Sequence, residues 1–413
     1  MHDLLLPAYQ KLYAALNSLE RFSKGQDLFE NIACIDSFLS EFRNVTFVLQ
    51  KSLAHTDYLE VYNAFRVKYL NNDDCSWLVE KRNEVLKEKP FGLEKSLKLT
   101  LYHPNGAGVF STDYYTINDE QDYSSLIEMV KEVVEKIPAI EVFFSVEFVY
   151  KEIGSDLNLF NTIDNGIDSM FALLEGLNIE IGEPPSSTRK IVQEKINNLH
   201  FHFIPKEAWF VDDYVFYRKD KIFEKGERFE IISPFKTAVP CSILCEMMGI
   251  KESGCFIDDT FDAFIKMQIY AFSKQKELAP TFLILNEAGI LSMVMYHATI
   301  KTTTYRKIQE MAEEIKKGVP IVAVFHASEM LLYNNPEAFN QDYLHRSKSN
   351  HLELLSFNIV TKDGANQYFI SNEAILEGKN DCVFPLLTSV ETDNTISYLN
   401  PLVEAFRNIH GTS

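Results

Sequence analysis

Glycine is scarce, 16 in 413 residues, and none of it falls into a Walker A, a dinucleotide-binding or a G-x-S-x-G pattern. A glycine loop cradling phosphates is thereby excluded. Serine, histidine and aspartate are present, but at no spacing that marks a nucleophilic triad. The six cysteines, Cys34, Cys75, Cys241, Cys245, Cys255 and Cys382, include no CxxC pair. They read as reduced, mostly buried thiols. Cys241 and Cys245 can share a helical face and reach a metal with Cys255. Zinc knuckles use tighter, more polar spacing, so core thiols are the expectation. The opening MHDLLLPAYQ has no basic stretch, and no apolar run reaches 18 residues. A cytoplasmic protein without a membrane partner is expected. Positive charge is short too: 40 basic residues against 59 acidic ones leave a net charge of -19. Such a chain repels a nucleic-acid backbone at long range and can meet one only through a local basic patch.

What is present suits packed cores. Hydrophobic residues make up 46% and charged ones 24%, with 31 Phe and 19 Tyr against two Trp. At roughly 100–200 residues per domain, two or three domains are expected. Between Gly25 and Pro90 neither Gly nor Pro occurs. Leu28, Ile32, Ile35, Leu39, Phe42, Thr46 and Leu49 keep helical spacing there, widened by Phe38 and Val45. Tyr58, Tyr62, Phe65 and Tyr69 form a second set. After Asn71-Asn72-Asp73-Asp74, where an aspartate can cap, a further helix carries Trp77, Leu78, Val85 and Leu86. With an opening helix from Leu5 to Phe22, these read as a four-helix bundle. The texture then turns to β at Leu97–Tyr102, with a turn at Pro104-Asn105-Gly106, a return strand to Ile117, a helix over Tyr123–Lys136 and a strand over Ile140–Tyr150. Residues 156–177 regain helical spacing and are expected to pack back on the bundle.

Within this bundle Phe42-Arg43-Asn44-Val45-Thr46-Phe47-Val48-Leu49-Gln50-Lys51, then Trp77 and Lys81-Arg82-Asn83, resemble the HEPN superfamily of small helical domains in prokaryotic toxin and antiphage systems. The resemblance covers about a fifth of the chain and implies a bacterial protein with a stress-response or defence role. In HEPN ribonucleases an Arg, usually followed by a residue such as Asn, stands four to six residues before a His, commonly across a dimer from its copy. The Arg holds the scissile phosphate and the imidazole moves the proton. Here Arg82-Asn83 matches, but Leu86, Lys87, Glu88 and Lys89 occupy the following positions. Lys87 is correctly spaced to touch a phosphate, yet serves as a base only if deep burial lowers its pKa. The resemblance therefore implies a non-catalytic HEPN-like module that dimerises or binds a protein partner. The alternative is a ribonuclease using Arg82, Asn83 and Lys87, and the purely architectural alternative is Arg and Asn tying helix to helix.

Gly182-Glu183-Pro184-Pro185-Ser186-Ser187 has the composition of a linker. The expected organisation is a HEPN-like bundle with β insertion over 1–182, a linker and bridging helix over 183–199, and a mixed domain over 200–413. The overall class is α+β. Strand-like runs are Trp209–Tyr217, Phe229–Ile232, Thr281–Leu285, Leu291–Tyr296, Ile321–Phe325, Leu352–Val360 and Gln367–Ile370. Helical runs are Phe261–Lys276, Tyr305–Lys317 and Leu402–Ile409. The run Val319–Phe325 reads as a strand buried on both faces.

Four patterns in this half bear on chemistry. If His200-Phe201-His202 is a strand, both imidazoles share a face, and Asp213, with ten residues between it and His202, completes the metal spacing of JAMM-type zinc isopeptidases. Phe203 and Phe210 stand where those enzymes want Pro and Ser. Asp258, Asp259 and Asp262 with Glu252 form an acidic cluster that fits either a helix N-terminus or magnesium. His297 and His326 close apolar strands, where α/β proteins place site residues. Tyr343 to His351 is the one locally basic stretch, and His345, Arg346 and Lys348 in it are the candidate contacts for phosphate or RNA. No cofactor is implied.

Overall fold

The computed structural model describes residues 3–23, 25, 27–104, 106–117, 123–203, 210–251, 253–378, 384–387 and 398–410. Trp209, Glu252, Cys382 and Asn105 lie outside the described residues, and of His202 only the backbone is described. The stretch without Gly or Pro becomes three successive helices, α2 (Leu28–Leu53), α3 (Tyr58–Leu70) and α4 (Asp73–Lys87), after an opening α1 (Leu6–Leu19). Helix α2 starts where the Asp27 carboxylate accepts the Glu30 amide at 2.8 Å, and α4 where Asn72 accepts the Cys75 amide at 2.8 Å. Each cap satisfies an N–H left over by the first helical turn. The apolar stripe of α2, including Ile35, Phe38, Leu39, Phe42, Val45 and Leu49, is buried.

The chain forms two compact units. Unit 1 comprises residues 1–98, 114–129 and 147–211, and unit 2 comprises 99–113, 130–146 and 212–413. In unit 1, α1 packs on α2, and α6 (Leu159–Ile181) packs on α3 and α4. The close approach of α6 is set by Gly166, where an added Cβ would stand 2.2 Å from Leu78 Cδ1. An aromatic cluster closes the other end. Phe22 lies 4.9 Å from the Tyr150 ring and 5.2 Å from Phe160, and Phe160 stacks on Phe210 at 4.8 Å. That cluster corrects the reading of His200-Phe201-His202 as a strand. Phe201 is buried in it at 5.9 Å from Phe160, and Glu20 accepts the His200 and Phe201 amides at 2.9 Å each. The segment is thus one helical turn, α8 (His200–Phe203), following α7 (Ser187–Asn197). The alternation that would align the two imidazoles does not apply.

The β segment matches its expected place, with β1 (Leu93–Tyr102), β2 (Val109–Thr116), α5 (Tyr123–Val134) and β3 (Glu141–Glu152). Two further strands, β4 (Val211–Tyr217) and β5 (Ile222–Lys225), extend the same sheet in the order β2-β1-β3-β4-β5. Strands from before and after residues 183–199 therefore share one sheet.

Unit 2 is built on a second sheet, of β6 (Arg228–Val239), β7 (Thr281–Asn286), β8 (Gly289–Ala298), β9 (Ala323–Tyr333), β10 (His351–Thr361), β11 (Gly364–Ser371) and β12 (Phe384–Leu387). Its order is β12-β11-β10-β9-β7-β8-β6, with antiparallel neighbours. The central strands are covered on both faces. Leu283, Leu285, Phe325 and Phe357 pack with α9 (Cys241–Met248) and α10 (Phe256–Gln275). Phe282, Val324 and Val360, one residue out of step, pack with α11 (Lys301–Lys316) and α14 (Asn400–His410). Period-2 alternation with both faces apolar is what makes the sequence run continuously hydrophobic. Two short helices, α12 (Tyr343–Arg346) and α13 (Asn372–Leu376), complete the described elements. Among the described residues, no helix is long and apolar enough to cross a membrane.

Candidate anion-binding site

A cavity of about 330 Å³ opens in unit 1 between α2, α3, α4 and α6. Its walls are Phe42, Arg43 and Thr46 from α2, Arg66, Val67 and Leu70 from α3, and Cys75, Leu78 and Val79 from α4, with Asn71 and Met170 completing it. That volume lies at the low end of the roughly 300–1,000 Å³ of small-ligand clefts. The helical period explains the lining: Arg43 and Thr46 are three apart, and Cys75, Leu78 and Val79 follow a single stripe.

Arg43 is half-buried, and its Nη1 donates to Thr46 Oγ1 at 2.6 Å. Its guanidinium lies 4.5 Å over the Phe47 ring, and that of Arg82 lies 5.7 Å from the same ring. Stacking on an aromatic face holds a guanidinium without consuming its donors. Nη1 of Arg82 donates to Asn83 Oδ1 at 3.2 Å, and its Nε is buried with no hydrogen-bond partner. Arg66 is exposed at the rim and faces Tyr62. Burial holds Arg43 below the usual arginine range; Tyr62 opposes this, and the charges of Arg82 and Arg66 reinforce it. Tyr62, 1% exposed, donates its hydroxyl to the Thr46 carbonyl at 3.1 Å. Its pKa is raised by burial and pulled back by Arg66 and Arg43.

Among the described residues no carboxylate forms an ion pair with Arg43, Arg66 or Arg82, whereas the neighbouring Lys81 and Lys89 are paired with Glu84 and Lys81 also with Glu152. Arg43 and Arg66 in the cavity wall, with Arg82 on the Phe47 ring beside Arg43, make a locally positive site in a chain of net charge -19. Like charges held together raise the free energy of the folded state, and an anion placed among them removes that cost.

Arg82, Asn83 and Lys87 all lie outside the cavity lining; Arg82 shares the Phe47 ring with Arg43, whereas Lys87 is exposed in the last turn of α4. The deep burial that a lysine base requires is absent. Arg66 escaped sequence reasoning. Its signal was nonetheless present: residues 61–71, VYNAFRVKYLN, carry two cations and no acid in a strongly acidic chain.

The other candidates fall elsewhere. His200 belongs to unit 1, exposed, with Nδ1 3.0 Å from Glu20 Oε1. Asp213 belongs to unit 2 and is buried there. It accepts from Arg306 Nε at 2.9 Å, Arg306 Nη2 at 3.1 Å and Ser145 Oγ at 2.7 Å, so its oxygens are committed to a structural ion pair. Asp259, inside the first turns of α10, reaches back to the preceding loop: its Oδ2 accepts the Ser253 amide at 2.8 Å, and hydrogen bonding from Ser253 holds its pKa low. Burial, with Asp258 and Asp259 alongside, raises that of Asp262. His297 is exposed, and its neighbour along the strand, Tyr296, is buried on the face that holds His326; the two histidines are not brought together. The basic stretch is not an open binding loop. Arg346 is buried and pairs with Glu141 at 3.2 Å, and His345 contacts Asp342 at 2.7 Å, leaving Lys348 exposed. No family model, no curated protein and no solved structure matches the chain.

Proposed function

We propose that unit 1 is a non-catalytic, HEPN-like binding module of a bacterial cytoplasmic protein, and that its arginine cavity takes a phosphate-bearing ligand. Unit 2 serves as a sensing or recruiting domain, in stress response or antiphage defence, with a second copy or another protein as partner. One observation carries the ligand class: Arg43 and Arg66 line the cavity, Arg82 shares the Phe47 ring with Arg43, and among the described residues no carboxylate pairs with any of the three. Arginine forks match phosphate oxygens with paired donors, and the buried, unpartnered Nε of Arg82 is a donor awaiting an acceptor. Two observations support the non-catalytic reading. The cavity lining contains no histidine, and Lys87 lies outside it.

The test is thermal unfolding of the full chain in rising pyrophosphate at constant ionic strength. A ligand at a hundred times its Kd stabilises by about 2.7 kcal/mol, so the melting temperature of wild type rises with concentration. Arg66→Gln and Arg82→Gln flatten that response. Without the anion, Arg66→Gln melts no lower than wild type, because it removes repulsion. An equal response in all three proteins would remove the site from consideration. Cleavage of single-stranded RNA by wild type, lost in Arg82→Ala, would instead favour the ribonuclease that uses Arg82, Asn83 and Lys87.

A further inference from the structure

We propose that Asp220, Asp342 and His345 of unit 2 form a binding site for a divalent transition cation, manganese or zinc. Asp220 stands in the tight turn between β4 and β5, Asp342 caps the single turn of α12 and His345 lies within it. One ligand atom from each lies within 4.8 Å of the other two. The imidazole lies beside both carboxylates, with Nδ1 2.7 Å from Asp342 Oδ1 and Nε2 3.6 Å from Asp220 Oδ2.

The observation that points to an ion is on Asp342. Its side chain is 1% exposed. Oδ1 accepts the His345 amide at 3.1 Å, which is all that capping α12 requires. Oδ2 is buried with no hydrogen-bond partner. A carboxylate oxygen taken out of water without a donor facing it carries an uncompensated desolvation cost. The hydrogen bonds of the turn account for Oδ1 and leave Oδ2 without a partner, which a cation held by this carboxylate would supply.

The donor set selects the class of ion. One imidazole nitrogen with two carboxylates suits manganese or zinc. Calcium asks for roughly six to eight oxygens, more than these residues offer. Asp220 and His345 keep 38% and 25% of their side-chain surface exposed, so the ion can enter from water and retain water in its open positions. The turn that carries the site is held in place. Glu141 accepts the Tyr343 amide at 3.0 Å and Arg346 Nη2 at 3.2 Å, which ties Arg346 to Glu141. Fixed supporting contacts of this kind keep ligands in register.

The test is a manganese titration of full-length protein stripped with EDTA, read by loss of the free-ion EPR signal. Manganese is used because it avoids the thiols of Cys241 and Cys255. Wild type should bind one equivalent, zinc should displace it, and calcium at the same concentration should not. Asp220→Asn and His345→Ala should each weaken binding by about tenfold or more. Asp342→Asn should do the same, with circular dichroism confirming the fold. Because Asp220 is exposed, its variant keeps the test decisive if Asp342→Asn unfolds. Arg66→Gln, in the arginine cavity, should bind manganese as wild type does. Absence of binding, or equal binding by wild type and Asp220→Asn, overturns the proposal.

Discussion

His326 offers a measurable link between burial and pH. It lies on β9, 1% exposed, stacked on Phe282 at 4.4 Å. Tyr398, which accepts the Asn358 amide at 3.0 Å, is free to donate its hydroxyl to Nδ1 at 3.2 Å. Tyr296 donates to Thr304 at 3.0 Å, so its oxygen receives the Nε2 proton at 3.4 Å. The network suits a neutral ring, and among the described residues no charged group contributes to its shift. Burial alone lowers its pKa from 6.5 to about 3. A base whose pKa is lowered by folding takes up its proton in the unfolded chain first. Stability is therefore intact above pH 6.5 and drains away as pH falls towards 3. At 1.36 kcal/mol per pH unit, the drop from pH 7.5 to pH 5 costs about 2 kcal/mol through this residue. The assay is urea unfolding of wild type and His326→Gln at both pH values, followed by circular dichroism. The variant is less stable throughout, but its loss on acidification should be smaller than that of wild type by about that amount. Equal losses would refute a neutral, buried His326.

Two substitutions test the packing of each unit. Asp213→Asn removes the carboxylate that holds Nε and Nη2 of Arg306, whose side chain is 5% exposed, and leaves it only Glu310 on Nη1. Breaking a buried pair costs roughly 3–5 kcal/mol, so the urea midpoint should fall sharply, and a near-neutral effect would contradict the pairing. Gly166→Ala gains about 1 kcal/mol of helix propensity but drives a methyl to 2.2 Å from Leu78 Cδ1, a side chain only 2% exposed. Overpacking costs about 1–3 kcal/mol, so the variant should melt below wild type; a higher melting temperature would mean that α4 and α6 can separate freely.

Helices α2 to α4 were legible because their signals are local. Apolar spacing and the absence of Gly and Pro act within a few turns of chain, although the cap of α4 is Asn72 and not the expected aspartate, Asp73 or Asp74. The strands of unit 2 were legible for the same reason. His200-Phe201-His202 was misread because two aromatics among histidines satisfy a strand pattern as well as a helical turn. What decided it was Glu20, about 180 residues earlier, together with the aromatic cluster around Phe22. Partner strands of each sheet were hidden too, since antiparallel and parallel strands buried on both faces share one apolar pattern.

The candidate site divides along the same line. Arg43 and Arg82 stood out through their neighbours in the chain, and the chain's negative balance made any acid-free basic group conspicuous. Only the packing of α3 and α4 against α2 brings Arg66 to them, and only it leaves all three without a carboxylate. Likewise the formula of the loop at 343–351 advertised cations, yet the fold pairs Arg346 with Glu141 and turns His345 towards Asp220, distant in sequence, as well as its neighbour Asp342. Sequence settles which segments are helix or strand, because hydrogen bonding and side-chain periodicity are short-ranged. Which charges end up neutralised and which remain is a question of partners far along the chain, and tertiary structure alone answers it.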